Sequence, residues 1–158
     1  MDDIPNSPDD FPAAFSGAVG RLQVAVIEAC QEEKKWPAKV AVAIAAAVDF
    51  AATEPESVRL LTVEALIQRP DGGRRYVRTI EHFADLLRIE APVDERRPKS
   101  TEQALVGGVA TTIADRMRHG TPSELLAAVP ELVEFVLLPY VGGSEAKRWA
   151  SWVQSRRT

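Results

Sequence analysis

The chain has 158 residues, a formal net charge of −4 and one cysteine. That length supports one domain with a sizeable core and asks for no second. The acidic balance counts against a module that grips nucleic acid by its phosphates, which carries a basic face, and the lone Cys30 excludes an internal disulfide and suits a reducing cytoplasm.

Apolar residues recur at spacings of three and four along most of the chain, the mark of amphipathic helices, and strict alternation is nearly absent. The expected fold is all-α, a compact bundle of about seven helices in one domain over residues 1–158, with a flexible N-terminus over residues 1–7 and an exposed loop over residues 92–99. The first helix is expected to begin with Ser7 as its cap and Pro8 in the first turn, and carries Phe11, Phe15, Ala18, Val19, Leu22 and Val26 on one stripe. Trp36-Pro37 opens a second helix whose residues 40–52 are apolar almost all round, so other helices should surround it. Glu54-Pro55 breaks it, and a short helix follows with Val58, Leu61, Ala65 and Leu66 on one face.

Arg69-Pro70-Asp71-Gly72-Gly73 reads as a turn. Tyr76, Val77, Ile80, Phe83, Ala84 and Leu87 mark a fourth helix ending before Pro92. Ser100 with Gln103 makes a capping box for a fifth, and Thr121-Pro122-Ser123-Glu124 makes a second box for a sixth. Pro130 is expected to kink or break that sixth helix, with Pro139 and Gly142-Gly143 ending it. Ser144 then caps a last helix bearing Trp149, Trp152 and the basic residues Lys147, Arg148, Arg156 and Arg157. A basic helix with tryptophans suits either a solvated edge or contact with a membrane or nucleic acid.

Chemistry-bearing motifs are sparse. The N-terminus, Met1-Asp2-Asp3-Ile4-Pro5, has no apolar run of a secretion signal, and the apolar stretch 40–48 is too short to span a bilayer, so a soluble, cytoplasmic chain with no membrane contact is expected. His82 and His119 fall on different helices without a cysteine or carboxylate set beside them, so no metal or other cofactor is expected. There is no Gly-rich phosphate loop, no Gly-x-Ser-x-Gly and no His-Glu-x-x-His, and an enzyme is not expected.

Three stretches in order carry a family likeness. Trp36-Pro37 runs through an apolar helix into Phe50-Ala51-Ala52-Thr53-Glu54-Pro55-Glu56 and Val58-Arg59-Leu60-Leu61-Thr62-Val63-Glu64-Ala65. Thr101-Glu102-Gln103-Ala104-Leu105-Val106-Gly107-Gly108 comes next, then Pro130-Glu131-Leu132-Val133-Glu134-Phe135-Val136-Leu137-Leu138-Pro139-Tyr140-Val141-Gly142. Over residues 8–150 the chain resembles the C-terminal ligand-binding and dimerisation domain of TetR-type transcriptional regulators. Asp9-Asp10-Phe11-Pro12-Ala13-Ala14-Phe15 resembles the start of the helix that follows the family's helix-turn-helix, so that DNA-binding head is expected to be absent from this chain.

The resemblance implies a homodimer paired through residues 101–119 and 122–141, with Leu105, Gly107, Gly108, Val109, Thr112, Leu132, Phe135, Val136 and Tyr140 at the interface. Two adjacent glycines in a helix, each costing roughly 1 kcal/mol against alanine, fit close backbone approach, either within the chain or across a dimer. The resemblance also implies an effector pocket among the central helices, over about residues 37–90. Phe50, Arg59, Glu64, Tyr76, His82, Phe83 and Thr112 are the candidates near apolar stripes, for an apolar or amphipathic small molecule. The implied function is effector sensing for a TetR-type repressor, reaching DNA only through a helix-turn-helix absent from this chain, which is either a fragment or a stand-alone regulatory domain. The rival reading is a stand-alone helical protein-interaction module with no small-molecule ligand.

Overall fold

A computed structural model of the chain describes residues 10–67 and 71–158. The helices are α1 (Phe11–Cys30), α2 (Trp36–Thr53), α3 (Pro55–Arg59), a π-helical turn (Leu60–Glu64), α4 (Ala65–Ile67), α5 (Asp71–Glu90), α6 (Lys99–His119), α7 (Pro122–Val141) and α8 (Gly143–Arg157). With α3, the π turn and α4 taken as one interrupted helix, this is an all-α bundle of seven helices without a strand among the described residues.

α2 is the centre. Trp36, Val40, Ala41, Ile44, Ala45, Val48, Phe50 and Ala51 are all buried, on every side of the helix. α1, α7 and α8 pack against it, and α5 packs on α6 further out. α7 is nearly as enclosed: Leu125, Ala128, Val129, Leu132, Val133, Val136, Leu137 and Tyr140 join α2 in the main core. A second cluster gathers Phe11, Phe15 and Ala18 of α1 with Leu60, Leu61 and Ala65. The π turn makes that possible. One extra residue in the turn rotates the chain, so consecutive Leu60 and Leu61 are both buried.

Helix ends differ from the sequence expectation in several places. The Ser7 cap and the Arg69-Pro70 part of the expected turn lie outside the described residues. α1 starts at Phe11, after Asp10, with Pro12 in its first turn. Asp71-Gly72-Gly73 forms the first turn of α5 instead of a turn between helices, with the Asp71 carboxylate at the positive end of the dipole. Ser100 lies inside α6, which begins at Lys99 behind Pro98, and Ser144 lies inside α8, which begins at Gly143. Thr121 does cap α7, its hydroxyl accepting the Glu124 amide at 3.2 Å.

Pro130 neither breaks nor ends α7, and Pro139 is also helical. The carbonyls each proline deprives of a donor belong to Leu126 and Phe135, both exposed, so water can serve them. The helix stops at Gly142, whose φ of +83° is open to glycine and not to most other residues. The expected loop over 92–99 holds a 3₁₀ turn at Val93–Glu95. From this loop Arg97 reaches the end of α7, donating through Nε at 3.0 Å and Nη2 at 2.8 Å to the Pro139 carbonyl. A cation at a helix C-terminus satisfies a carbonyl that has no intrahelical donor and suits the dipole.

Two of the four basic residues of α8 are paired inside the chain. Arg157 grips Asp49 of α2 at 2.7 Å, and Arg156 pairs with Glu33 at 3.1 Å while stacking over Trp152. Two helices, α1 and α2, are long and apolar enough by length and composition to cross a membrane, and half of the α2 window is buried in the core. The 40–48 stretch is thus part of a longer apolar helix.

Removing the Arg97 cap by Arg97→Ala should lower the unfolding free energy by about 0.5–1 kcal/mol, read as a fall in the urea midpoint at unchanged m-value. An unchanged midpoint would show that the contact contributes nothing to α7.

Candidate functional site

The strongest candidate is a cavity of about 460 Å³, half open to solvent, bounded by α1, α2, the α3–π-turn segment, α5 and α6, with Val136 of α7 also in its lining. Its walls follow single helix faces. Leu22, Val26 and Cys30 recur every four residues on α1, and Ala43 and Ala47 do so on α2. α5 contributes Tyr76, Thr79, Ile80, Phe83 and Leu87, and α6 contributes Val106, Val109, Ala110 and Ile113. The room exists because α2 presents alanines where its neighbours present branched side chains.

The interior offers little polarity. Thr62 and Thr79 line it, but their hydroxyls already donate to the Val58 and Arg75 carbonyls of their own helices, at 2.7 and 2.8 Å. The charged lining residues, Glu33, Lys39 and Glu90, lie where α1 ends, α2 begins and α5 ends. There the Lys39 ammonium meets Glu90 at 3.0 Å, and the Cys30 thiol donates to the Lys39 carbonyl at 3.4 Å. Burial pushes the Cys30 thiol up, with Lys39 opposing, so the thiolate is disfavoured.

Beside this polar end lies a buried charged group. Glu102 is 1% exposed; one carboxylate oxygen accepts from Arg88 at 3.2 Å, and the other has no partner. Burial raises its pKa, and the Arg88 guanidinium opposes the rise. Arg88 also donates to the Arg97 carbonyl at 3.1 Å, while Arg97 sits over the Tyr140 ring. Tyr140 stacks edge-on against Trp36 at 4.8 Å, and burial first, then the Glu102 carboxylate, push its hydroxyl up to about 12.

The residues named from sequence fall into three places. Tyr76 and Phe83 line the cavity. Phe50 is buried in the main core, and Thr112 donates to the Gly108 carbonyl at 2.9 Å; neither lines the cavity. Arg59 is exposed and paired with Glu56, His82 is exposed and within 3.1 Å of the Gln23 amide oxygen, and Glu64 is half-buried beside the cavity's edge without lining it. No group of three or more His, Cys, Asp or Glu side chains that could hold a metal occurs among the described residues.

The residues expected at a dimer interface also divide. Leu105, Leu132, Val136 and Tyr140 are buried within the single chain, and Val109 faces the cavity. Phe135, 43% exposed, lies on the outer face of α7 and covers Gly108, where an added Cβ would stand 2.9 Å from its ring. That glycine therefore serves an approach of α6 to α7 within the chain. Gly107 has open space beside it, with exposed Ala104 and Thr111 one turn to either side. Leu22, Val26, Ala43, Ala47, Leu87 and Glu102 were not singled out as site residues from sequence. Their period-four spacing was visible, but it marks a buried face and does not tell a packed face from a cavity wall.

Comparison with known proteins finds no family model, no curated protein and no solved structure that matches this chain.

Burial favours the neutral acid, so the stability Glu102 contributes is greatest below its ordinary value of 4.5 and is lost as pH rises through the raised value in the fold. The stability of the wild type relative to Glu102→Gln should therefore fall as pH rises above the ordinary value of 4.5, measured by urea unfolding. A constant difference would mean that Glu102 titrates alike folded and unfolded.

Proposed function

We propose that this chain is the effector-binding and dimerisation domain of a TetR-type transcriptional regulator, a cytoplasmic sensor that holds a small apolar or amphipathic molecule. The observation that carries this reading is the cavity of about 460 Å³, within the size range of sites for drug-sized ligands and walled almost wholly by apolar side chains. The ordered sequence motifs over residues 8–150 supply the family. Together they favour a sensor over an interaction module with a filled core, because an apolar void costs stability in proportion to its size and a ligand removes that cost.

The dimer would use the outer faces of α6 and α7. Gly107, Ala104 and Thr111 keep the surface of α6 low, and Phe135 and Leu138 remain exposed on α7. Close approach of two such faces buries apolar area with little side-chain entropy to lose. A ligand that spreads the central helices would then alter the geometry of the pair, and DNA-binding heads joined to that pair would respond.

A native mass spectrum of the purified chain at micromolar concentration is the direct test. Twice the chain mass plus a small adduct is the expected result; a monomer with no adduct, unchanged by added apolar compounds, would overturn the reading. Phe135→Glu should convert the dimer to monomer with the thermal midpoint little changed. Leu132→Ala, deep in the core, should instead cost about 2–5 kcal/mol of folding stability. Equal effects of the two on folding would remove α7's outer face as an interface.

A further inference from the structure

The polar end of the cavity adjoins three hydrogen-bonding atoms that are buried and without a partner: Trp36 Nε1, Glu102 Oε2 and the Tyr140 hydroxyl. Each belongs to a side chain that is more than nine-tenths buried. An unmet buried donor or acceptor costs about 1–3 kcal/mol, so three in adjoining side chains call for a physical reason.

Their placement supplies one. Trp36 itself lines the cavity, and its ring meets Tyr140 edge-on. Glu102 precedes the cavity residue Val106 by one turn of α6, and Tyr140 follows the cavity residue Val136 by one turn of α7. The contacts of Gly108 with Phe135 and of Arg116 with Glu131 run α6 and α7 in opposite directions, so both turns lie at the same end. Of the three, Trp36 lines the cavity, while Glu102 and Tyr140 stand one helical turn beyond its lining, next to the Trp36 indole.

We propose that Trp36, Glu102 and Tyr140 form a polar subsite at this end of the cavity, which receives the neutral hydroxyl or primary amide of an otherwise apolar ligand. This rests on the ligand-binding reading above and adds the chemistry of the ligand's polar group. The indole N–H only donates, the free Glu102 oxygen accepts when ionised and donates when protonated, and the tyrosine hydroxyl does either. A hydroxyl or amide satisfies both kinds at once. A ligand carboxylate would set a second negative charge beside Glu102. An ammonium would leave the indole donor unmet and would face the Arg88 and Arg97 guanidiniums, both already placed around Glu102 and Tyr140. Because the Trp36 indole lines the cavity and packs on Tyr140, entry of the polar group requires that ring to move aside.

Calorimetric titration of the full chain with naphthalene, 1-naphthol and 1-naphthoate tests this. A site built around unmet polar groups should bind 1-naphthol about tenfold or more tightly than naphthalene, with 1-naphthoate weaker than 1-naphthol. Tyr140→Phe and Glu102→Gln should each reduce that preference while leaving naphthalene affinity unchanged, which also shows that the variants remain folded. Equal affinity of the wild type for naphthalene and 1-naphthol, or a preference that survives in both variants, overturns the subsite and leaves the cavity reading standing. Binding of none of the three compounds overturns both.

Discussion

Between Lys39 and Asp49 the second helix carries no polar side chain at all, and the rest of the bundle is a response to that. A helix that is apolar all round has no face to show to water, so neighbours must close over every side of it. α1, α7 and α8 do so directly. Its charged ends are then used as clamps. Lys39 is tied to α5 through Glu90, and Asp49 is tied to α8 through Arg157. These are partly exposed pairs and contribute modestly to stability, but they fix which helix lies over which side of α2.

The same helix creates the opening. Its apolar character is delivered mainly by alanine, and Ala41 and Ala45 lie buried on one side of it. On the opposite side Ala43 and Ala47 are too small to reach the branched residues of α5 and α6, and the cavity remains. One substitution pattern, small residues around a central helix, therefore gives tight packing where neighbours are drawn in and a void where they are held off. What holds them off is the α3–π-turn segment, wedged between α1 and α6 with Leu61 and Thr62 at the cavity's edge.

The helices were legible because their burial is periodic. Residues 22, 26 and 30, or 76, 80, 83 and 87, mark one inward, half-buried face each. Details that depend on a competing local term were not. Two capping serines, Ser100 and Ser144, lie inside helices because a proline and a glycine start the turn first. Pro130 was read as a break by its local cost, whereas burial of Leu125, Val129, Leu132 and Val133 on a continuous α7 outweighs one lost hydrogen bond. The site was less legible than the fold. Tyr76 and Phe83 were found because aromatics on a stripe are conspicuous, while Ala43 and Ala47 matter through the volume they fail to fill, which no pattern of polarity encodes. Glu102 reads from sequence as an ordinary first-turn acid of α6, and only the approach of Arg88 and Tyr140 from elsewhere in the chain makes it a buried charge.

That buried charge joins the two parts of the molecule with functional potential. Glu102 is held by Arg88 at the end of α5, Arg88 also binds the backbone at Arg97, and Arg97 holds the last carbonyls of α7 at Pro139. α5 is a cavity wall, whereas α7 carries the exposed Phe135 and Leu138. A ligand that shifts the C-terminal end of α5 must stretch this chain of bonds or carry the end of α7 along with it. Parting Arg88 from Glu102 would leave the buried carboxyl without a partner, a lost hydrogen bond for the protonated acid and an uncompensated charge for the ionised one. Arg88 and Arg97 therefore give the C-terminal end of α5, a cavity wall, a single side-chain path to the C-terminal end of α7.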